Sequence, residues 1–268
     1  MMPELPEVET ICNAFKKSVT NPVIKEFKII NPKLRWKINN KIPTILKGKK
    51  INNISRRAKY IIMDFDDGSI ILHLGMTGIL RKTSTFPEIF KHDHFMLKLE
   101  DDTTYIYNDV RKFGSLHWVY DKSKHFLIKN LGVEPLSRLF SKKYLYEKLK
   151  NKKTQIKNLI MNQNIVVGIG NIYASEALYD SKIRPNRISS TITISECENL
   201  VKSIKKVLSR SIKFGGTSIK DYKTLDGKSG YFKQKLMVYG LEKCQCGEVL
   251  IIVKISGRSS FYCAKCQK

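Results

Sequence analysis

The sequence predicts an α+β chain in three parts: a β-rich first half, built as a sandwich or barrel with one N-terminal helix, a helical second half, and a small β-ribbon at the end. Three observations predict it. Before residue 135, short β-type runs such as KYIIMDF, SIILHLG, HFMLKLE and TTYIYNDV alternate with turn signals such as Asp66-Asp67-Gly68 and Glu100-Asp101-Asp102. Beyond the connector LGVEPLSRLFS the period becomes helical, in KKYLYEKLK, TQIKNLIMNQ, NIYASEALYDSK and SECENLVKSIKKVLSRSIKF. The C-terminal stretch then crowds Cys244, Cys246, Cys263 and Cys266 around strand-like VLIIVKI and RSSFYC.

The first element is a helix opening within MMPELPEVET. Pro3 and Pro6 suit a first turn, where a missing N–H loses no partner, and the early glutamates suit the positive end of the helix dipole. Leu5, Val8, Cys12 and Phe15 give the helix an apolar stripe. The same stretch also has a chemical reading. With both methionines absent, Pro3 would carry a free secondary amine beside the Glu4 carboxyl, a nucleophile with an acid next to it.

In the helical half, VVGIGN places Gly168 and Gly170 just ahead of a helix expected from Asn171. Such a backbone turns sharply, approaches a ligand closely and offers amides to a phosphate, although an ordinary interhelical turn accounts for the same residues. FGGTSIKDYKTLDGKSGYF is too rich in Gly, Ser and Asp for a helix and reads as a loop, either over a site or plainly on the surface. The final cysteines read C-x-C and C-x-x-C, which fits one closed, structural zinc ion held by four thiolates; two pairs of buried or reactive thiols are the alternative.

Composition narrows the function. At 268 residues and 42% hydrophobic, the chain buries one large core or two ordinary ones. Forty-nine Lys and Arg against 24 Asp and Glu give a net charge of +25, which points to a polyanionic partner, nucleic acid first and an anionic membrane surface second. No window approaches the roughly eighteen apolar residues of a membrane span, and the acidic N-terminus is the reverse of a signal peptide's. A cytoplasmic protein is expected, where disulfides are improbable.

These pieces converge on a family. PELPEVET, RRAKY at Arg56 to Tyr60, HLGMTG at His73 to Gly78, KHDH at Lys91 to His94, DVRKFG at Asp109 to Gly114, VVGIGNIYASE at Val166 to Glu176 and GRSSFYCAKCQK at the end occur in order along the whole chain. Together they resemble the formamidopyrimidine-DNA glycosylases, bifunctional glycosylase/AP lyases of bacterial base-excision repair. The resemblance implies an N-terminal catalytic β-sandwich over 1–134, a helix-two-turn-helix domain over 135–232 with a lesion-recognition loop at 215–231, and a zinc finger over 233–268. Double-stranded DNA containing oxidised bases would bind in the cleft between the halves, to a monomer acting at the nucleoid.

By the same resemblance, Pro3 is the nucleophile, Glu4 the proton donor to the sugar ring oxygen, Lys59 a second catalytic amine at a phosphate, and Arg258 the phosphate grip that promotes the last elimination. Met76, Arg111 and Phe113 fall at the wedge positions that fill the gap left by the extruded nucleotide; spacing alone reads Met76 and Phe113 as core. His92, Lys153 and Asn171 match contacts to the DNA backbone. Ile219, Lys220, Asp221 and Tyr222 match the loop that closes over the extruded base, and Cys244, Cys246, Cys263 and Cys266 the zinc ligands.

Three departures stand out. The family's Pro-Arg-Arg-Phe is Val110-Arg111-Lys112-Phe113, replacing one bidentate guanidinium by an ammonium. The zinc segment is shortened and carries C-x-C in place of C-x-x-C. Met1 precedes Met2, and because Pro3 acylated by Met2 has no basic nitrogen, initiation at Met2 and an active form beginning at Pro3 are expected. Two rival readings are an endonuclease VIII type glycosylase for oxidised pyrimidines, disfavoured by Leu5 and the Met-Arg-Phe wedge, and a non-catalytic damaged-DNA-binding protein.

Overall fold

In the computed structural model, which describes residues 3–83, 87–217 and 232–268, the proline-glutamate stretch begins α1 (Leu5–Ser18). Glu4 caps it reciprocally: its side chain accepts the Glu7 peptide N–H, and the Glu7 carboxylate accepts the Glu4 N–H at 2.9 Å. Leu5, Val8, Ile11, Cys12 and Phe15 are buried, so one stripe of the helix faces the core.

Eight strands follow in the first half among the described residues, with a short helix α2 (Ile42–Leu46) after the first: β1 (Ile24–Ile29), β2 (Asn53–Arg57), β3 (Tyr60–Phe65), β4 (Gly68–His73), β5 (Ile79–Thr83), β6 (Asp93–Leu99), β7 (Thr104–Asn108) and β8 (Ser115–Val119). They form two antiparallel four-stranded sheets, ordered β1-β6-β7-β5 and β2-β3-β4-β8. Alternation sets the core: Phe95, Leu97 and Leu99 of β6, Tyr105 and Tyr107 of β7, Ile61, Met63 and Phe65 of β3, and Ile70 and Leu72 of β4 join the stripe of α1 in one apolar cluster. Tyr107 stacks on Phe95 at 5.0 Å, and Phe15 meets Tyr105 edge-on at 4.7 Å. The sequence left a sandwich and a barrel open; the two separate sheets make it a sandwich.

Two connections of this sandwich matter later. β4 to β5 and β7 to β8 both cross from one sheet to the other. His73 pairs with Ser115 in one sheet and Ile79 with Asn108 in the other, so the two crossovers start and end on neighbouring strands and run side by side.

The chain divides into two units, one running to Lys129 and taking in the chain again from Gly215, the other comprising Asn130–Phe214 and Phe232–Lys268. In the second, α3 (Lys142–Leu149) is capped by the Ser141 hydroxyl, which accepts the Tyr144 N–H at 3.2 Å. α4 (Ile156–Ile160), α5 (Asn171–Asp180) and α6 (Ile194–Lys213) complete the helices, α6 opening on a Thr193–Glu196 capping box. α5 is buried almost all round, and its Tyr173 hydroxyl meets Ser211 of α6 at 2.6 Å. Cys197 of α6 and Cys12 of α1 are both buried. The chain ends in a ribbon of β9 (Ile251–Ile255) and β10 (Arg258–Tyr262). Ser256 and Gly257 turn it with φ of 47° and 75°, both in the left-handed region that a tight two-residue hairpin requires. No helix among the described residues is long and apolar enough to cross a membrane.

Candidate active site and nucleic-acid contacts

In the first unit, the N-terminal residues are held by hydrogen bonds from several directions. Pro3 is buried, and Glu4 and Glu7 are 3% and 1% exposed. The second Glu7 oxygen accepts both the peptide N–H and the hydroxyl of Thr217, each at 2.9 Å, so one carboxylate ties the start of α1 to the chain that leads into residues 218–231. Gly216 makes this approach with φ of +82° and leaves the space in which the Glu7 side chain sits.

Lys59 stands in the two-residue hairpin between β2 and β3, where Arg57 pairs with Tyr60. Ala58 supplies the positive φ of 54° that the turn needs. Arg56 forms an ion pair with Glu9 of α1 and donates through Nη1 to the Ala58 carbonyl at 2.9 Å, and this relay fixes the Lys59 turn against the helix that Glu4 caps. The Lys59 residue is 7% exposed. On the adjacent strand, His73 lies 5.1 Å from the Tyr60 ring and accepts the Gly75 N–H through Nδ1 at 3.1 Å. Burial pushes its pKa down to about 4, reinforced by the positive charges of Lys59 and Arg35.

The two side-by-side crossovers carry Met76 and Arg111–Phe113. Phe113 is 43% exposed, Arg111 and Val110 are exposed, and Met76 is half-buried, so the core reading of Met76 and Phe113 that spacing favours does not hold for Phe113. The Arg111 guanidinium lies over the Phe113 ring at 4.9 Å. Lys112, the residue where the family has arginine, sits between them at φ 58°. His92 is half-buried beside the second crossover, its carbonyl accepting the Asp109 N–H at 3.0 Å.

In the second unit, the N-terminus of α5 meets the ribbon. Gly168 turns with φ of 79° and Gly170 caps the helix, which places Asn171 at its first position. Asn171 donates to the Ser259 carbonyl at 3.0 Å and to the Tyr239 hydroxyl at 3.3 Å. Lys157 of α4 is 1% exposed and donates to Asn171 Oδ1 and Ser260 Oγ, both at 2.7 Å, and to the Ser259 carbonyl at 3.3 Å. Asn171 is thereby locked to the strand that Arg258 opens, with Arg258 itself exposed. Lys153 is exposed in the turn leading into α4. Glu176 of α5 accepts the N–H groups of Met237, Val238 and Tyr239 at 2.7, 2.9 and 2.8 Å, which fixes the entry to the ribbon; burial raises its pKa against the pull of those three amides.

The four C-terminal cysteines come together with all Sγ atoms within 4.8 Å of one another. Cys244 and Cys266 sulfurs are 3.8 Å apart, and those of Cys246 and Cys263 3.6 Å. Thiolates placed tetrahedrally at about 2.3 Å from a zinc ion stand about 3.8 Å from each other, so the donor set fits a closed four-sulfur metal site. The shortened C-x-C knuckle still reaches because Gly247, at φ 88°, lets the chain turn and donate to the Cys244 carbonyl at 2.9 Å. The Tyr179 hydroxyl lies 3.1 Å from Cys244 Sγ, an outer partner of the kind that orients metal ligands.

Sequence reasoning missed Lys157, Glu7, Glu176 and Thr217. A signal existed for Lys157 alone, a lysine lodged at an apolar position in TQIKNLI. Ile219, Lys220, Asp221 and Tyr222 lie outside the described residues, as do Met1 and Met2.

Two family models match the chain: the formamidopyrimidine-DNA glycosylase N-terminal domain over residues 2–116 and the formamidopyrimidine-DNA glycosylase H2TH domain over residues 131–223. Among curated relatives, the formamidopyrimidine-DNA glycosylase of Hydrogenovibrio crunogenus is 44% identical, covering 100% of this chain and 97% of its own, and that of Glaesserella parasuis is 46% identical, covering 100% and 99%. Among solved structures, a Lactococcus lactis FPG mutant in complex with Fapy-dG containing DNA superimposes with a TM-score of 0.91 at 36% identity, over 99% of this chain and 100% of that one. The Lactococcus lactis Fpg bound to abasic-site DNA gives 0.90 at 35% identity, over 99% of both chains.

Proposed function

Because the chain belongs to the formamidopyrimidine-DNA glycosylase family, we propose that it excises formamidopyrimidines and 8-oxoguanine from duplex DNA and cuts the strand at the resulting abasic site. The observation that carries this reading is the capping of α1: Glu4 is buried and hydrogen-bonded as the cap, which fixes a carboxyl group one residue from the Pro3 nitrogen.

The chemistry follows from those groups. A free proline amine is a secondary amine at the chain terminus, and a terminal amine, with a pKa of about 8, keeps a useful neutral fraction near neutral pH, where an ordinary lysine is almost wholly protonated. Its lone pair attacks C1′ of the damaged nucleotide, the base leaves with its bonding pair, and the proton on the nitrogen passes to that departing base. Glu4 gives a proton to the ring oxygen as the sugar opens, and the nitrogen becomes an iminium. The iminium acidifies the C2′–H bond. Loss of that proton expels the 3′ phosphate, and a second elimination expels the 5′ phosphate.

Lys59 and Arg258 serve these steps as phosphate partners, while His92, Lys153 and Asn171 hold the flanking backbone without reading sequence. Met76 and Phe113 fill the stacking gap, and Arg111 hydrogen-bonds the base left unpaired. Residues 219–222 recognise the extruded base, and 1–134, 135–232 and 233–268 act as catalytic, duplex-binding and ribbon modules. Cys244, Cys246, Cys263 and Cys266 hold one zinc ion that cross-links the ribbon and keeps the strand bearing Arg258 in shape.

Borohydride reduction tests the proposal. With 8-oxoguanine opposite cytosine, protein beginning at Pro3 should form a covalent adduct that maps to Pro3, and protein retaining Met2 should form none. An adduct mapping to Lys59 would reassign the nucleophile. Excision of an oxidised thymine in preference to 8-oxoguanine would move the enzyme to the pyrimidine-specific branch.

A further inference from the structure

The two crossovers that carry Met76 and Arg111–Phe113 are joined by more than proximity. Residues 74–78 leave β4 and enter β5, while residues 109–114 leave β7 and enter β8. Where they run together, the Asp109 carboxylate is fully buried and takes one donor from each side. Its Oδ1 accepts the Thr77 hydroxyl at 2.5 Å and its Oδ2 accepts the Gly114 N–H at 2.8 Å. The Thr77 oxygen, oriented by that donation, accepts the Arg111 peptide N–H at 3.1 Å. The Tyr107 hydroxyl is shared between Asp109 Oδ2 at 3.4 Å and the Leu74 carbonyl at 3.2 Å. His94 contacts the Asp109 carbonyl through Nε2 at 3.0 Å.

Steric closeness reinforces the polar links. A methyl group on Gly75 would run into the Gly114 amide, so the backbones of the two crossovers touch directly. The second crossover is also the less relaxed of the two, since it passes through Lys112 in the left-handed region, where a side chain is disfavoured. A strained segment keeps its shape only where neighbours over-determine it. Thr77 is the side chain of the first crossover that holds the Arg111 backbone among the described residues.

We propose that Thr77 is a positioning residue that makes the two crossovers enter DNA as one body: its hydroxyl, aimed by Asp109, sets the Arg111 peptide at a fixed height beside Met76 and thereby sets selectivity for the base opposite the lesion. This rests on the reading of Met76, Arg111 and Phe113 as the wedge. Arg111 reads a base edge through a long side chain, and such contacts discriminate only when the backbone that carries them is fixed. Met76 and Phe113 fill space and tolerate small shifts. Loss of the Thr77 hydroxyl should therefore be felt in selectivity before it is felt in occupancy of the gap.

The test is single-turnover excision of 8-oxoguanine opposite cytosine and opposite adenine, with the ratio of rates as readout. Thr77→Val should lower the ratio about fivefold or more, the scale of one base-edge contact, while affinity for undamaged duplex stays within about twofold because phosphate contacts supply it. Thr77→Ser, which keeps the hydroxyl, should restore the ratio. Arg111→Ala examines the underlying reading separately: an unchanged ratio there refutes the wedge assignment whatever Thr77 does. A collapsed ratio in Arg111→Ala together with a normal one in Thr77→Val leaves the wedge standing and overturns the role of Thr77. In the double variant the ratio should equal that of Arg111→Ala alone, and a further fall would mean that Thr77 acts elsewhere. Should the valine variant fail to fold, Thr77→Ala removes the same hydroxyl without the extra methyl and is read in the same way.

Discussion

Glu7 shows how much one carboxylate does at this N-terminus. It accepts the Glu4 N–H, the Thr217 N–H and the Thr217 hydroxyl, and at 1% exposure no water can replace them. Glutamine keeps one oxygen and brings an NH2 group that must face one of those donors. Glu7→Gln should lower the unfolding free energy by about 2 kcal/mol, the usual penalty for a buried donor left unmet, as read from urea denaturation. Amide exchange at Glu4 and Thr217 should accelerate more than at Leu97 in the sandwich core. Unchanged protection at Thr217 would show that Gly216 and Thr217 are held by other means.

At the scale of elements, the C-terminal ribbon depends on its ends. The tip is set by the Ser256-Gly257 turn and one side is docked by Lys157, but β9 exposes Ile251 and Ile252, and the apolar cluster around Val238, Leu250, Cys244 and Cys263 is small. The four cysteines that meet at its base suit a metal ion, and one bound there would add to that packing. Protein purified without added zinc should carry about one equivalent of it, and chelation should raise amide exchange across β9 and β10 while α6 stays protected. Active protein without metal would show that Lys157 and Glu176 suffice to hold the ribbon.

The elements themselves were legible in the sequence because each follows a local rule: the alternation of HFMLKLE, the cap of PELPE, the apolar stripe of α6. Pro3, Lys59, Met76 and Arg258 were singled out through motifs, and their roles remain part of the proposal. Lys157, Glu176, Glu7 and Thr77 were not, because each works by meeting a backbone group or side chain far along the chain, and no local pattern encodes such a meeting. The shortened C-x-C cast doubt on the metal site for a local reason. The four sulfurs nevertheless come together, because Gly247 folds the knuckle back.

For the molecule as a whole, partly buried histidines link stability to pH. Burial lowers His73 to about 4, helped by Lys59 and Arg35, and burial lowers His117 to about 4, helped by His125. An unfolded histidine titrates near 6.5, so between those values the unfolded chain binds more protons than the folded one. Stability should be complete above about pH 6.5 and should fall as the pH drops toward about 4, with a slope of up to two protons from these two and a further contribution from His125, which burial also lowers. Self-repulsion in a chain of net charge +25 acts in the same direction. Urea midpoints measured from pH 7.5 to 4.5 should show this fall, and His73→Gln with His117→Gln should flatten it; an unaltered slope would assign the acid sensitivity to the carboxylates.

The burial of Cys12 and Cys197 has a consequence for survival under the conditions that create this enzyme's work. The lesions it removes are made by oxidants, and an oxidant attacks a thiolate far faster than a thiol. Burial, with the Glu9 charge adding to it, pushes Cys12 up to about 12 despite Arg56 and Lys16, and burial with Glu196 pushes Cys197 up to about 11. Both sulfurs are therefore held as buried thiols, the form that peroxide attacks slowly. The burial that packs the two helices thus also lowers the reactivity of the two cysteines outside the four-sulfur cluster.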